Sequence, residues 1–438
     1  MGLPDVISIQ PPSCPVRARI SVPGSKSITN RALILAALAS GRTVLRGALW
    51  SQDTQVMVDC LRLLGFYIQV DADSQVACNR TLVIDGLGGR VPPGGSPEKP
   101  LELFVGNAGT AARFLSAMLC LGSGVYRLHG VPRMHERPQE ALFEALRQLG
   151  YRIDSTGNKL PALIHGAGPR PGRCSVSVAE SSQFASALYL ASEQGGWQVQ
   201  TSGDNDEESR YVTMTTRMVE SFPRTGGDYV VEPDGSSGSY FQAAHILMNL
   251  AGHSRNGSKG LNDGNSSDIQ VAQWPDSGWQ VDAAFAKYWP LPDRVSRQRD
   301  LGDSILTAMI LAPFGSQVTR FEDLGRLRVQ ECERVAAMRT DLTRCGARVE
   351  ETGDTLAIWP SALHGAEIDT YGDHRMAMCF ATLGLVVPGM RILDPACVKK
   401  TFPNFFQILA SAPPNGLGAT IRNARTGRIL TGEDLFAD

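Results

Sequence analysis

Three short stretches of the chain carry residue types that could hold an anion, each just ahead of an apolar run. In GSKSITNR, from Gly24, the cations Lys26 and Arg31 flank Ser27. In GNAGTAAR, from Gly106, the small polar group Asn107, Gly109 and Thr110 precedes Arg113, and in GDHRMAM, from Gly372, Arg375 follows His374. The first turn of a helix has backbone N–H groups without intrahelical partners and carries about half a positive charge, so converging helix starts would make an anion site. Ser, Thr, Asn and Gly are also good caps and turn residues, and capping alone accounts for them at any one start. It does not account for Lys26, Arg31, Arg113, His374 and Arg375, because a cation opposes the dipole at a helix start. Something anionic should compensate them.

Asp303, ahead of another apolar run, reads either as an N-cap carboxylate or, if buried among cations, as a candidate base. Two further basic clusters read either as solvated faces or as anion contacts. They are Arg133, His135 and Arg137 in GVPRMHERPQE, and Arg326, Arg328 and Arg334 around Glu331 in GRLRVQECERV. Lys399 and Lys400, before TFPNFF, read from local sequence as a surface pair.

The elements that must position these residues recur. A polar turn, a mostly apolar helix-length run and usually a Gly appear six times, starting at Gly24, Gly106, Ser181, Asp234, Gly302 and Gly372. The starts lie 53 to 82 residues apart, too long for the common solenoid repeats and suited to six larger α/β units. Amphipathic second helices are expected from Thr54, Arg137 and Glu331, and β-like runs follow Gly65, Gly150 and Gly346. The six repeated runs have no polar face beyond their first turn, which predicts buried helices forming an interior layer.

The 438 residues exclude a single small module, and 42% hydrophobic with 20% charged residues excludes disorder throughout. A net charge of -2 leaves no global basic field for nucleic acid or an anionic membrane, so an anion site must be local. Nine cysteines without C-x-x-C spacing read as thiols in a reducing compartment. The start has no basic segment followed by an apolar core, and no apolar run approaches the roughly 18 residues of a membrane span, so a cytoplasmic location is expected. GSKS lacks the glycines of a P-loop, GLGG at Gly86–Gly89 does not complete a dinucleotide fingerprint, and no metal-hydrolase or serine-hydrolase motif occurs.

The blocks PGSKSITNRALILAALASG, GNAGTAARFLSAM, PRMHERP, SSQFASALYLA, RVQECERV, DHRMAMCF and KTFPNFF, in that order, resemble the EPSP synthase (3-phosphoshikimate 1-carboxyvinyltransferase) family over nearly the whole chain. The sister family acting on UDP-N-acetylglucosamine fits less well, since its reactive-cysteine loop has no evident counterpart. The resemblance implies a two-domain inside-out α/β barrel, with six β-α-β-α-β-β units around buried parallel helices. It places residues 1–21 with 233–438 in one domain and 22–232 in the other, with the active site in the cleft between them. The implied reaction moves the enolpyruvyl group of phosphoenolpyruvate to the 5-hydroxyl of shikimate 3-phosphate and releases phosphate, without cofactor or metal. No nucleic acid or membrane partner is implied, and a monomer is expected.

By the same resemblance, Ser181 and Ser182 hold the shikimate phosphate, Ser27 and Arg31 its carboxylate, and Gln183 and Tyr211 line the ring. Asn107, Gly109, Thr110, Arg137, Arg334, Arg375 and Lys400 lie around phosphoenolpyruvate. Arg suits both anions because its planar fork gives paired, charge-assisted hydrogen bonds. Asp303 is expected to be the base for the acceptor hydroxyl, with Lys26 nearby, and either Lys26 or Glu331 protonates carbon. The chain departs from the family pattern at Glu208, Arg326 and Gln330, a substrate-binding position that usually carries Lys. Those departures leave open a different phosphorylated acceptor, and a non-catalytic anion-binding homologue is the other alternative. Gly109 is implied to leave room for glyphosate, with Phe114 replacing a frequent Pro nearby.

Overall fold

All six apolar runs are helical, at Lys26–Leu38, Gly109–Cys120, Ser182–Gly195, Gly235–Asn256, Ile305–Leu311 and His374–Leu383. The computed structural model describes residues 2–179, 181–203, 206–256 and 266–437, without the side chains of 206–208 and 252–256. The side chain of Glu208 therefore lies outside what is described. In the Lys26 helix, Ala32, Leu33, Ile34, Ala36 and Ala37 are wholly shielded from solvent, and the Gly109, Ile305 and His374 helices are similarly buried around most of their circumference. Each large aliphatic side chain so buried contributes about 1.5–3 kcal/mol. The Gly235 helix differs, because the second half of its described turns is half-exposed.

Among the described residues, two of these six helices are capped by the side chain ahead of them. Ser181 Oγ accepts from the Gln183 N–H, and Asp373 Oδ1 accepts from the Arg375 N–H at 2.8 Å. The Lys26 and Gly109 helices take no cap hydrogen bond from their N-cap side chains. Of the second helices, the one expected from Thr54 begins two residues earlier, at Gln52–Leu63, and the other two begin later than the sequence pattern suggests. Arg137 ends a short helix, Pro132–Glu136, and the amphipathic helix follows at Glu140–Gln148. Glu331 lies ahead of the helix Arg334–Arg344, whose start is set by the Glu333 carboxylate accepting from the Ala336 N–H.

The chain divides into two units, Gly24–Glu232 and Met1–Pro23 with Pro233–Asp438. Among the described residues, each unit holds two four-stranded sheets and one two-stranded parallel sheet. The four-stranded sheets share one plan, a parallel pair followed by two antiparallel pairings. In Gly24–Glu232 they run Gly227–Val230, Arg42–Leu49, Asn79–Asp85, Ile68–Ala72, and Leu101–Phe104, Ser123–His129, Ala162–Ala167, Arg152–Ser155. In the other unit they run Arg294–Ser296, Thr319–Glu322, Thr355–Ile358, Val349–Thr352, and Glu367–Ile368, Met390–Leu393, Val6–Gln10, Thr420–Asn423. This is a mixed α/β fold in which buried helices and sheets alternate along the chain. No helix among the described residues is long and apolar enough to cross a membrane.

Candidate active site

In the unit Gly24–Glu232, the buried helices present their first turns with cations attached. Lys26 Nζ pairs with Asp53 Oδ2 at 3.1 Å, on the neighbouring helix Gln52–Leu63. Asp53 is thus an anion that offsets the unfavourable position of Lys26 in the dipole field. Arg31 is almost fully buried and ties four helices together. Its Nε donates to Thr215 Oγ1 at 2.7 Å, Nη2 to Ser186 Oγ at 3.0 Å and Nη1 to the Ser27 carbonyl at 3.0 Å, while the guanidinium lies 5.2 Å from the centre of the Phe114 ring.

The Gly109 helix start is crowded by two guanidinium groups. Arg113 Nη1 donates to Gln183 Oε1 at 2.8 Å, which links this helix to the start of the Ser182 helix. Arg137 Nη1 donates to the Asn107 carbonyl at 3.1 Å. A Cβ at position 109 would lie 2.6 Å from Arg113 Nη1 and 2.7 Å from Arg137 Nη2, so only glycine lets both groups approach this close. Thr110 and Asn107 are half-exposed beside them, and Ser181 and Ser182 are buried at the adjoining helix start. Tyr211 sits on the helix Asp206–Ser221, and its carbonyl accepts from Thr215 Oγ1, the hydroxyl that also holds Arg31.

In the unit formed by residues 1–23 and 233–438, Asp303 is the centre of a charge cluster. Arg375 Nη2 lies 2.8 Å from Oδ2, and Arg297 Nη2 and Arg334 Nη1 lie 3.3 and 3.5 Å from Oδ1. Burial alone would raise the Asp303 carboxyl, but Arg375, Arg334 and Arg297 outweigh it and hold the group well below the usual carboxylate range. Asp303 does not cap the Ile305 helix. That role falls to Asp282, whose Oδ1 accepts from both the N–H and the hydroxyl of Ser304. The Asp282 carboxyl is raised by burial and by the nearby Asp303 charge.

Arg334 is tied to the same cluster by Asp373, with Nε 2.7 Å from Oδ2, and by Glu331 at 2.8 Å. Its Nη1 also donates to Gln330 Oε1, and Arg375 Nη1 donates to Ser236 Oγ. Lys400 Nζ lies 3.9 Å from Glu331 Oε1, and Lys400 is buried, at 7% exposure. The reading of Lys399 and Lys400 as a surface pair therefore fails for Lys400, because the turn Pro395–Lys400 faces it toward Glu331. Arg326 lies in the turn Leu324–Val329, ahead of these residues. Arg328, in the same turn, is held by Glu333, Glu351 and Asp354 at 2.6, 2.8 and 2.9 Å, which fixes the segment leading to Gln330 and Glu331.

Lys26, Arg334 and Arg375 are thus compensated by carboxylates of the chain itself, whereas Arg31 and Arg113 donate to hydroxyl, carbonyl and amide oxygens. Asp53, Asp373, Asp282 and Arg297 carry no distinguishing local signal. Asp53 and Asp373 look like ordinary helix-start acids, and only the fold brings them to Lys26 and Arg334. Arg297 lies in a run of arginines, 294, 297 and 299, with no apolar periodicity to orient it.

A family model described as EPSP synthase (3-phosphoshikimate 1-carboxyvinyltransferase) matches residues 11–224 and 219–409. The chain is 39% identical to the 3-phosphoshikimate 1-carboxyvinyltransferase of Laribacter hongkongensis, over 91% of this chain and 98% of that one. It is 36% identical to the enzyme of that name from Opitutus terrae, over 94% and 98%. Among solved structures, an EPSP synthase from Acinetobacter baumannii superposes with a TM-score of 0.67 at 22% identity, covering 95% of this chain and all of that one. The enolpyruvyl transferase NikO from Streptomyces tendae shares the fold, with a TM-score of 0.60 at 15% identity. With a family model spanning most of its length and relatives this similar over nine-tenths of it, the chain belongs to the EPSP synthase (3-phosphoshikimate 1-carboxyvinyltransferase) family.

Proposed function

We propose that the chain is an enzyme that transfers the enolpyruvyl group of phosphoenolpyruvate to the 5-hydroxyl of shikimate 3-phosphate and releases phosphate. Family membership supports the reaction, and the charge clusters support the division of labour among residues. Both substrates are polyanions. Arg137, Arg334, Arg375 and Lys400 bind phosphoenolpyruvate together with Asn107, Gly109, Thr110 and Gln330, with Arg334, Arg375 and Lys400 exchanging internal carboxylate partners for substrate oxygens. Ser181 and Ser182 take the acceptor phosphate at a helix start, where N–H groups and the dipole favour it. Ser27 and Arg31 take its carboxylate, and Gln183 and Tyr211 flank its ring.

Asp303 accepts the hydroxyl proton while the hydroxyl oxygen bonds to the enol carbon. A second proton, from Lys26 or Glu331, reaches the methylene carbon. Loss of a proton from that carbon and cleavage of the bond to phosphate then restore the double bond, which now belongs to the enol ether product. The observation that carries this reading is the Asp303 carboxylate, ionised and surrounded by Arg297, Arg334 and Arg375 instead of capping its helix. Phosphate release with both substrates present is the direct test. A folded protein that releases none with shikimate 3-phosphate, yet turns over with another phosphorylated acceptor, would move the assignment to that acceptor. Such an outcome would point to Arg326 and Gln330 as the source of the change.

A further inference from the structure

Asp303 is held from two sides that differ in kind. Arg334 and Arg375 rise from helix starts and have protein partners besides Asp303, namely Asp373, Glu331 and Ser236. They are the two guanidinium groups of this cluster that the proposed function assigns to phosphoenolpyruvate. Arg297 comes from a different element, the turn after the strand Arg294–Ser296, and its side chain is 2% exposed against 23% for Asp303. It is shut off from solvent, as Arg334 is at 1% exposure, and what sets it apart is the element that carries it.

The turn that carries Arg297 is pinned along its length. The Arg297 N–H donates to the Glu322 carbonyl at 3.0 Å, and the Ser296 N–H donates to Asp300 Oδ2 at 2.7 Å. Ser296 Oγ donates to Asp323, the Arg299 N–H donates to Ser296 Oγ at 3.1 Å, and the Asp300 N–H returns to the Ser296 carbonyl at 3.0 Å. These bonds fold the chain back so that residue 297 reaches the carboxylate six positions later. A turn pinned in this way holds the backbone of Arg297 in place when neighbouring cations change partners.

We infer that Arg297 is a positioning residue for the base: it holds Asp303 through Oδ1 while Oδ2 is given up by Arg375 and presented to the acceptor hydroxyl. This rests on the proposed role of Asp303. In the step concerned, the hydroxyl O–H bond breaks, the proton goes to Asp303 Oδ2, and the electron pair left on oxygen forms the bond to the enol carbon. Arg297 exchanges no proton. It supplies orientation, and it leaves one compensating charge beside the buried carboxylate when Arg334 and Arg375 engage substrate.

The test compares Arg297→Gln, Arg297→Lys and Asp303→Asn in steady-state assays with both substrates from pH 5 to 9, alongside thermal melts. For Arg297→Gln, kcat should fall by roughly 10- to 100-fold, with both KM values within about threefold of the parent. The acid limb of its kcat profile should move to higher pH, because a cation beside the carboxylate is gone. Arg297→Lys, which keeps the charge and loses the fork, should have an intermediate kcat and the parental acid limb. A folded Arg297→Gln variant with parental kcat and acid limb overturns the inference, as does one that raises only KM. If Arg297→Gln does not fold, Arg297→Lys decides: reduced kcat at a parental melting temperature supports positioning, and parental kcat overturns it. Asp303→Asn separates the two levels. Turnover within about tenfold of the parent would sink the base itself, whereas an inactive Asp303→Asn beside an unaffected Arg297→Gln would sink only the role of Arg297.

Discussion

At the scale of single residues, the cluster around Asp303 sets a clear expectation. Replacing Asp303 by Ala removes the proposed base and leaves three guanidinium groups without a shared counter-ion, so turnover should fall by about 10² or more. Turnover within about tenfold of the parent would be incompatible with that role. Gly109 gives a second expectation. In Gly109→Ala the new methyl would sit under 3 Å from the ends of both Arg113 and Arg137, which must then swing away from the helix start. The KM for phosphoenolpyruvate should rise several-fold with a smaller change in kcat, and inhibition by glyphosate at limiting phosphoenolpyruvate should weaken. An unchanged KM would show that Arg137 does not bind this substrate. Among the residues proposed for a chemical role, most were named by the family resemblance, and Lys26, Arg31 and Arg375 were visible in the sequence because a cation at a helix start is out of place. The carboxylate partners of such cations were not, since a helix-start acid looks the same whether it meets solvent or a buried arginine. Lys26 meets Asp53, and Arg334 meets Asp373, only through folding.

At the scale of elements, the six apolar helices were legible because few segments are apolar on every side, although the second half of the described turns of the Gly235 helix is half-exposed where the pattern predicts burial. Helix starts were less legible. The periodicity of ECERVAAM extends back to Glu331, yet the Glu333 carboxylate captures the Ala336 N–H and begins the helix at Arg334, which leaves Glu331 on a turn beside Arg334 and Lys400. The same helix carries Asp341 into the interior. Its Oδ1 pairs with Arg344 at 2.5 Å, and among the described residues Oδ2 has no hydrogen-bond partner. Burial, only partly opposed by Arg344 and reinforced by Asp369, pushes this carboxyl up to about 7. An unfolded chain ionises the group near pH 4, so between about pH 4 and 7 the folded state binds the extra proton. The stability it contributes is complete below that window and is lost as pH rises through it, by a few kcal/mol at most. Asp341→Asn cannot ionise, so its denaturation midpoint relative to the parent should climb from pH 5 to pH 7.5. Parallel midpoints across that range would refute the buried-proton account.

At the scale of the whole molecule, a net charge of -2 conceals cations gathered at helix starts, and the near-neutral balance is compatible with two small anions as substrates. The division of the chain is asymmetric, and this has a consequence for folding. The unit Gly24–Glu232 is one uninterrupted stretch whose ends are bonded to each other: the Ser25 N–H donates to the Glu232 carbonyl at 2.8 Å, and the strand Gly227–Val230 pairs in parallel with Arg42–Leu49. The other unit depends on the first 23 residues. The strand Val6–Gln10 lies inside its sheet, between Met390–Leu393 and Thr420–Asn423, and Arg17–Ile20 pairs with Asp268–Val271. Removing this interior strand opens two rows of backbone donors and acceptors and takes Ile7 and Ile9, which are 0% and 1% exposed, out of the core. A fragment of residues 24–232 should therefore melt cooperatively on its own. A fragment of residues 233–438 should not, whereas the same fragment with residues 1–23 joined by a flexible linker after residue 438 should recover a cooperative melt. Neither unit alone should release phosphate, because Lys26 and Arg137 belong to one and Asp303 and Arg375 to the other. Circular dichroism melts of the three proteins, with a phosphate-release assay on each, check both expectations. A cooperative transition in 233–438 lacking residues 1–23 would show that the interior strand is dispensable to that core.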